Sequence, residues 1–168
     1  EEEDRAKNSR FLKAEAKGKL EFKDIGFTLT GTADRFDCLN DGTLAIYDYK
    51  TGAPPGPKIR KHFDKQLPLT AAMASEGAFR DIPAESVGKL AYIGLGSEAG
   101  EALLAPEEYD TATTLADFKA LIVAFLDPDK GYPSRRAVQK EDFAGDYDHL
   151  ARFGEWSSTD APVKEVLT

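Results

Sequence analysis

The sequence predicts an α/β fold, a mixed β-sheet flanked by helices in the order α-β-β-β-α-β-α. Three observations predict it. Residues 13–23 alternate polar and apolar with a period of two. Two further strand-like runs follow, separated by the short turns "KDIG" and "NDG". After a proline- and glycine-rich loop, helical patterning alternates with one more apolar run.

The opening residues read as the end of a helix. In the first strand Ala14, Ala16, Gly18, Leu20 and Phe22 take one face, and Lys13, Glu15, Lys17, Lys19, Glu21 and Lys23 the other. The second strand runs from about Phe27 to Cys38, and "NDG" at 40–42 is a hairpin turn in which Gly42 supplies positive φ. The third runs from Thr43 to about Lys50. "TGAPPGP" (51–57) holds three prolines and two glycines and is a loop. Residues 60–79 read as one helix, with an early turn or kink at Pro68. "GKLAYIGLG" (88–96) is a buried fourth strand. In "TTLADFKALIVAFLDP" Leu115, Phe118, Ile122 and Phe125 share a helical face, Thr114 with Asp117 resembles a capping box, and Pro128 stops the helix. A short helix is expected near "DYDHLARFGEW".

The 168 residues fit a single domain, 1–168, long enough to bury a core. No apolar run reaches the roughly 18 residues of a membrane span, so no membrane partner is expected. The charged start, "EEEDRAKNSR", has neither an initiator Met nor a signal-peptide pattern, which suggests a domain cut from the C-terminal part of a longer chain. One cysteine, Cys38, excludes an internal disulfide and a multi-cysteine zinc site, and fits a cytoplasmic location. The formal charge of −8 opposes a nucleic-acid partner at first sight. Its distribution weakens the objection: residues 1–97 are neutral, with 15 acidic and 15 basic side chains, whereas 98–168 carry 15 acidic and 7 basic. In 50–66 the cations Lys50, Lys58, Arg60, Lys61 and Lys65 face only Asp64. Such a run is either a solvated face or an anion-binding surface.

The chemistry concentrates in "LAIYDYKTG" (44–52), where Asp48 and Lys50 share a face with Leu44 and Ile46. A three-residue "NDG" loop pairs Leu39 with Thr43 and brings Asp34 opposite Asp48. Two opposed carboxylates repel. Lys50 alone could offset that as part of a surface charge cluster. Mg²⁺ would offset it better, because it favours one or two carboxylates and shares its shell with water and phosphate oxygens.

"GTADRFD" (31–37), "LAIYDYKTG" (44–52) and "QLPL" (66–69), in this order and spacing, resemble the RecB/AddB-type nuclease domain of the PD-(D/E)XK superfamily, most nearly the C-terminal domain of AddB-type subunits of alphaproteobacterial double-strand break repair helicase–nucleases. The similarity extends to "GYPSR" and "DYDHLARFGEW". The resemblance implies a restriction-endonuclease-like core and a metal-dependent deoxyribonuclease, exonuclease or endonuclease, acting in break-end processing and recombinational repair. It implies Asp34 and Asp48 as metal ligands with the Tyr49 backbone carbonyl, Lys50 as the catalytic lysine, and Gln66 as the glutamine that arranges the site. Glu15 sits where the family often places another acidic residue, and is equally one charge on a wet face. Mg²⁺, or Mn²⁺, would be the cofactor, DNA the substrate and an AddA-type subunit the partner. Lys58, Arg60 and Lys61 would track the DNA backbone. Three departures stand out: Thr70 replaces the usual tyrosine four residues after Gln66, no iron–sulfur cysteines are present, and the upstream helix is missing or truncated. His62 is then a DNA-facing or incidental residue. No Walker motif occurs, so ATP hydrolysis lies elsewhere. A non-catalytic DNA-binding or subunit-docking domain with the same fold is the rival expectation.

Overall fold

A computed structural model describes residues 7–96, 100–105, 108–131 and, nearer the C-terminus, 148, 149, 152, 154–157, 160, 161 and 163. Five strands form one sheet in the order β1 (Ser9–Phe22), β2 (Phe27–Leu39), β3 (Leu44–Lys50), β4 (Val87–Gly94) and β5 (Gly100–Leu103). The pairs β1–β2, β2–β3 and β4–β5 are antiparallel, and β3–β4 is parallel. A parallel pair needs a crossover, and the segment between β3 and β4 supplies it with helices α1 (Pro57–His62) and α2 (Gln66–Ser75). Helix α3 (Thr111–Leu126) follows β5. The mixed sheet with flanking helices is the fold class the sequence predicts.

The chain divides into two compact units, Glu1–Leu121 and Ile122–Thr168. The first contains the whole sheet, α1 and α2. In the second, the Lys130 ammonium lies 5.9 Å from the centre of the Phe125 ring, and Arg152 pairs with Glu155 at 2.6 Å. Of "GYPSR" only Gly131 is described. In "DYDHLARFGEW" (146–156), where a short helix is expected, residues 146, 147, 150, 151 and 153 lie outside the described residues, and the described ones form turns and bends.

The β2–β3 hairpin closes on the expected turn. Leu39 N–H donates to Thr43 O at 2.8 Å, Gly42 N–H donates to Leu39 O at 3.0 Å, and Gly42 takes φ 88°. The register keeps to the predicted pairing through Cys38↔Leu44, Asp37↔Ala45, Phe36↔Ile46 and Arg35↔Tyr47. Alternation then sends Leu44 and Ile46 into the main core and Ala45 and Tyr47 into a smaller cluster with Ala91 and Ile93.

Helix α2 lies in the main core, with Leu67, Pro68, Thr70, Ala71, Ala72, Met73 and Ala74 all buried. A helix buried on most sides needs small residues where it approaches the sheet, and the alanines serve that need. A similar constraint acts at Gly18, where an added Cβ would lie 2.6 Å from the Phe79 ring. That ring stacks edge-to-face on Phe36 at 5.0 Å.

Four expectations are corrected. The single helix over 60–79 is two, broken at Phe63–Lys65, and Pro68 falls in the first turn of α2, where a missing N–H leaves no intrahelical bond unmade. Strand β5 carries too short an apolar pattern to stand out in the sequence. The first turn of α3 is capped by Asp110, whose carboxylate accepts the Thr113 N–H at 2.7 Å, so Thr114 and Asp117 lie inside the helix. Ala14, expected on the inner face of β1, is exposed. On α3 the expected stripe of Leu115, Phe118, Ile122 and Phe125 is half-buried, and Phe118 packs on Phe22 and Phe27 with ring centres 6.1 and 5.9 Å apart.

Candidate active site

The C-terminal end of β3 sits at the centre of the sheet. Asp48 follows Leu44 and Ile46 on the face packed by α2 and is only 5% exposed. Its Oδ2 is buried and makes no hydrogen bond among the described residues. The Lys50 ammonium lies 2.8 Å from that oxygen as an ion pair without hydrogen-bond alignment. Burial pushes the Asp48 carboxyl above the usual aspartate range; Lys50 draws it back, and the charges of Asp34 and Asp64 push it up further.

Asp34 reaches the same place from β2. Continuing the hairpin register would bring Ala33 opposite Tyr49. The ladder pairing stops at Arg35↔Tyr47, and the Tyr49 N–H donates instead to Asp34 Oδ2 at 2.8 Å. The side chain thus replaces a rung of the ladder. The strand alternation breaks here too, because Ala33 and Phe36, three residues apart, both enter the main core. Across from Asp34 on β1, Glu15 takes φ 48°, the left-handed region that a non-glycine strand residue rarely adopts. Glu15 itself is exposed.

Gln66 opens α2, and its Oε1 accepts a hydrogen bond from Lys50 Nζ at 3.4 Å. Thr70, one turn on, is buried and donates its hydroxyl to Gln66 O at 2.9 Å. Asp34, Asp48, Lys50 and Gln66, separated by up to 32 positions in the sequence, are therefore joined by direct contacts or by charge at one locus.

Two further residues were not legible beforehand. Tyr92 pairs with Asp48 across the parallel β3–β4 ladder and is fully buried, with its ring centre 5.4 Å from Lys50 Nζ. Its hydroxyl donates to Asp64 Oδ1 at 2.9 Å, and the same oxygen accepts the Gln66 N–H at 3.3 Å. Burial, then the hydrogen bond and charge of Asp64, hold the phenol well above its ordinary range, so it stays protonated. The available signals were a tyrosine inside an apolar run, whose hydroxyl needs a partner, and an aspartate just before a helix start.

The basic segment divides. Lys58, Lys61 and His62 are exposed. Arg60 is largely covered: Nε and Nη2 donate to the two Glu108 carboxylate oxygens at 3.0 and 3.3 Å, and Nη1 to Pro55 O at 2.9 Å. Arg60 ties α1 to the chain after β5, whereas the two lysines face water.

A model of the PD-(D/E)XK nuclease superfamily matches residues 1–152. The chain belongs to the PD-(D/E)XK nuclease superfamily. No curated protein matches it closely enough to count as a relative. Nucleases of this superfamily generally use divalent metals such as Mg²⁺. The residues at the end of β3 fit such an ion: a buried carboxylate oxygen lacks a hydrogen bond, and a second carboxylate is near enough to raise its pKa. Among the described residues no group of three or more His, Cys, Asp or Glu forms a ready ligand cage. Among the described residues no helix is long and apolar enough to cross a membrane.

Proposed function

We propose that this domain hydrolyses DNA phosphodiester bonds with a divalent cation, Mg²⁺ or Mn²⁺, held by Asp34, Asp48 and the Tyr49 backbone carbonyl, with Glu15 as a further acidic group at the edge. The observation that carries the reading is Asp48 Oδ2, buried and without a hydrogen bond beside the Lys50 ammonium. Bound there, the cation supplies Lewis-acid polarisation of the scissile phosphate. Lys50 positions the attacking water and offsets charge developing on the phosphoryl oxygens. Gln66 holds the lysine through its Oε1. Lys58 and Lys61 contact the DNA backbone, and Arg60 contributes by fixing α1.

The motif spacing in 31–69 supports a finer assignment to the RecB/AddB group. In that setting the domain trims strands unwound by an AddA-type partner during double-strand break repair in the cytoplasm. The test is cleavage of linear DNA by the parent, Asp48→Ala and Lys50→Ala with and without Mg²⁺. Loss of cleavage in both variants, with the fold intact by circular dichroism, is expected; equal activity in parent and variants overturns the mechanism. The rival reading, a non-catalytic DNA-binding or subunit-docking domain, draws on the net charge of −8 and on Thr70 in place of the usual tyrosine. It requires that calorimetric titration with Mg²⁺ or Mn²⁺ give no binding heat.

A further inference from the structure

Tyr92 and Asp64 are not among the residues proposed to hold the cation, yet they touch the residues that are proposed to act. Tyr92 lies in the core at 0% exposure, one strand away from Asp48. Its ring stands under the Lys50 ammonium and its hydroxyl reaches Asp64. Asp64 Oδ1 takes two donors, the Tyr92 hydroxyl and the Gln66 N–H, and Gln66 in turn receives Lys50. A continuous chain of contacts therefore runs from β4 through the start of α2 back to β3. The helix break at Phe63–Lys65, where α1 ends and α2 begins, places Asp64 between the two donors it serves.

We propose that Tyr92 and Asp64 are positioning residues: their hydrogen bond pins the first turn of α2 to β4, and so fixes Gln66 and the Lys50 ammonium at the proposed catalytic locus. The inference rests on the nuclease reading for its effect on cleavage. Lysine carries four rotatable bonds, and its ammonium must stay within reach of one water and one phosphate. The ring below it and the glutamine beside it restrict that freedom. The acceptor property of Asp64 is what matters, so an amide oxygen can replace it.

The experiment compares the parent with Tyr92→Phe, Asp64→Ala and Asp64→Asn, first metal-free and then in Mg²⁺-dependent DNA cleavage. In the metal-free protein, hydrogen–deuterium exchange over residues 64–70 should quicken in Tyr92→Phe and Asp64→Ala while the rest of the sheet exchanges as in the parent. In cleavage, both should lose roughly ten- to a hundredfold in kcat at saturating Mg²⁺, with KM for DNA little changed. The double variant should be no slower than either single one. Asp64→Asn should restore parent-like exchange and most of the rate. An Asp64→Asn protein as slow as Asp64→Ala that needs more Mg²⁺ for half-maximal rate overturns the proposal, because Asp64 would then act through its charge on the cation. Parent-like exchange and rate in Tyr92→Phe also overturn it. A parent that cleaves nothing counts against the nuclease reading alone; exchange in the metal-free proteins still decides whether the pair holds α2.

Discussion

The β2–β3 hairpin buries two aspartates, one near its turn and one at its far end, and they are satisfied in opposite ways. Asp37 is 0% exposed and fully partnered: Arg35 Nε donates to Oδ1 at 2.8 Å, Arg35 Nη2 to Oδ2 at 3.1 Å, and the Ser9 hydroxyl to Oδ2 at 3.0 Å. Asp48 is nearly as buried, but its Oδ2 has no hydrogen bond, and Asp34 and Asp64 press on it with like charge. A buried carboxylate with a bidentate arginine and a hydroxyl is a finished structural element. Asp48 has only the Lys50 ammonium, 2.8 Å away, in place of such a set of donors, which is the feature the proposed cation site rests on.

The largest effect that would sharpen this contrast is on cleavage. Asp48→Ala should lower the Mg²⁺-dependent rate by about a thousandfold or more, since the lost charge stabilisation is several kcal/mol. Its metal-free thermal stability should equal or exceed that of the parent. Asp37→Ala should do the reverse: a loss of about 2–3 kcal/mol in urea unfolding, with the cleavage rate per folded molecule unchanged, because Arg35 and Ser9 lose the buried carboxylate to which both donate. If the two variants behave alike in both assays, the contrast fails.

A smaller effect lies in pH. The Asp48 carboxyl is raised, so the folded protein holds its proton where the unfolded chain has released it. Metal-free stability should therefore fall as pH rises from about 4, the ordinary aspartate value, through the raised one. Asp48→Asn should flatten that decline, and added Mg²⁺ should offset it above the raised value; thermal melts at several pH values measure both. Smallest are the effects in the basic segment. Lys58→Ala and Lys61→Ala should each reduce the salt dependence of DNA binding by about one unit of slope. Arg60→Ala should instead lower stability by about 1–2 kcal/mol, because its loss strands Glu108 and frees α1.

Much of this locus was readable because it depends on short-range rules. The "NDG" turn sets the hairpin register as far as Arg35↔Tyr47, and period-two alternation keeps Lys50 on the face of Asp48. Asp34 does not pair directly with Asp48 as expected but arrives through the break in β2 alternation, its carboxylate accepting the Tyr49 N–H. Local pattern could not give the parallel partner of β3, so Tyr92 was only an apolar-strand tyrosine. It also could not show that residues 60–79 break, because the helical reading rests on the alanine-rich half from Ala71 onward and no glycine or proline at 63–65 marks a stop. Arg60 and Lys61 are neighbours of identical charge in the sequence. Only the fold shows that Glu108, 48 residues away, takes one and leaves the other in water.

Strand β3 has neighbours on both sides, β2 made before it in the chain and β4 made after the crossover. Asp34, Asp48, Lys50 and Gln66 have all been synthesised by residue 66, but Tyr92 arrives 26 residues later. At translation speeds of about 5–20 residues per second, the nascent chain carries every proposed catalytic side chain for roughly a second or more before the strand that seats them exists. A polypeptide stopped short of β4 would thus hold every proposed catalytic side chain without the strand that seats Lys50 and Asp64.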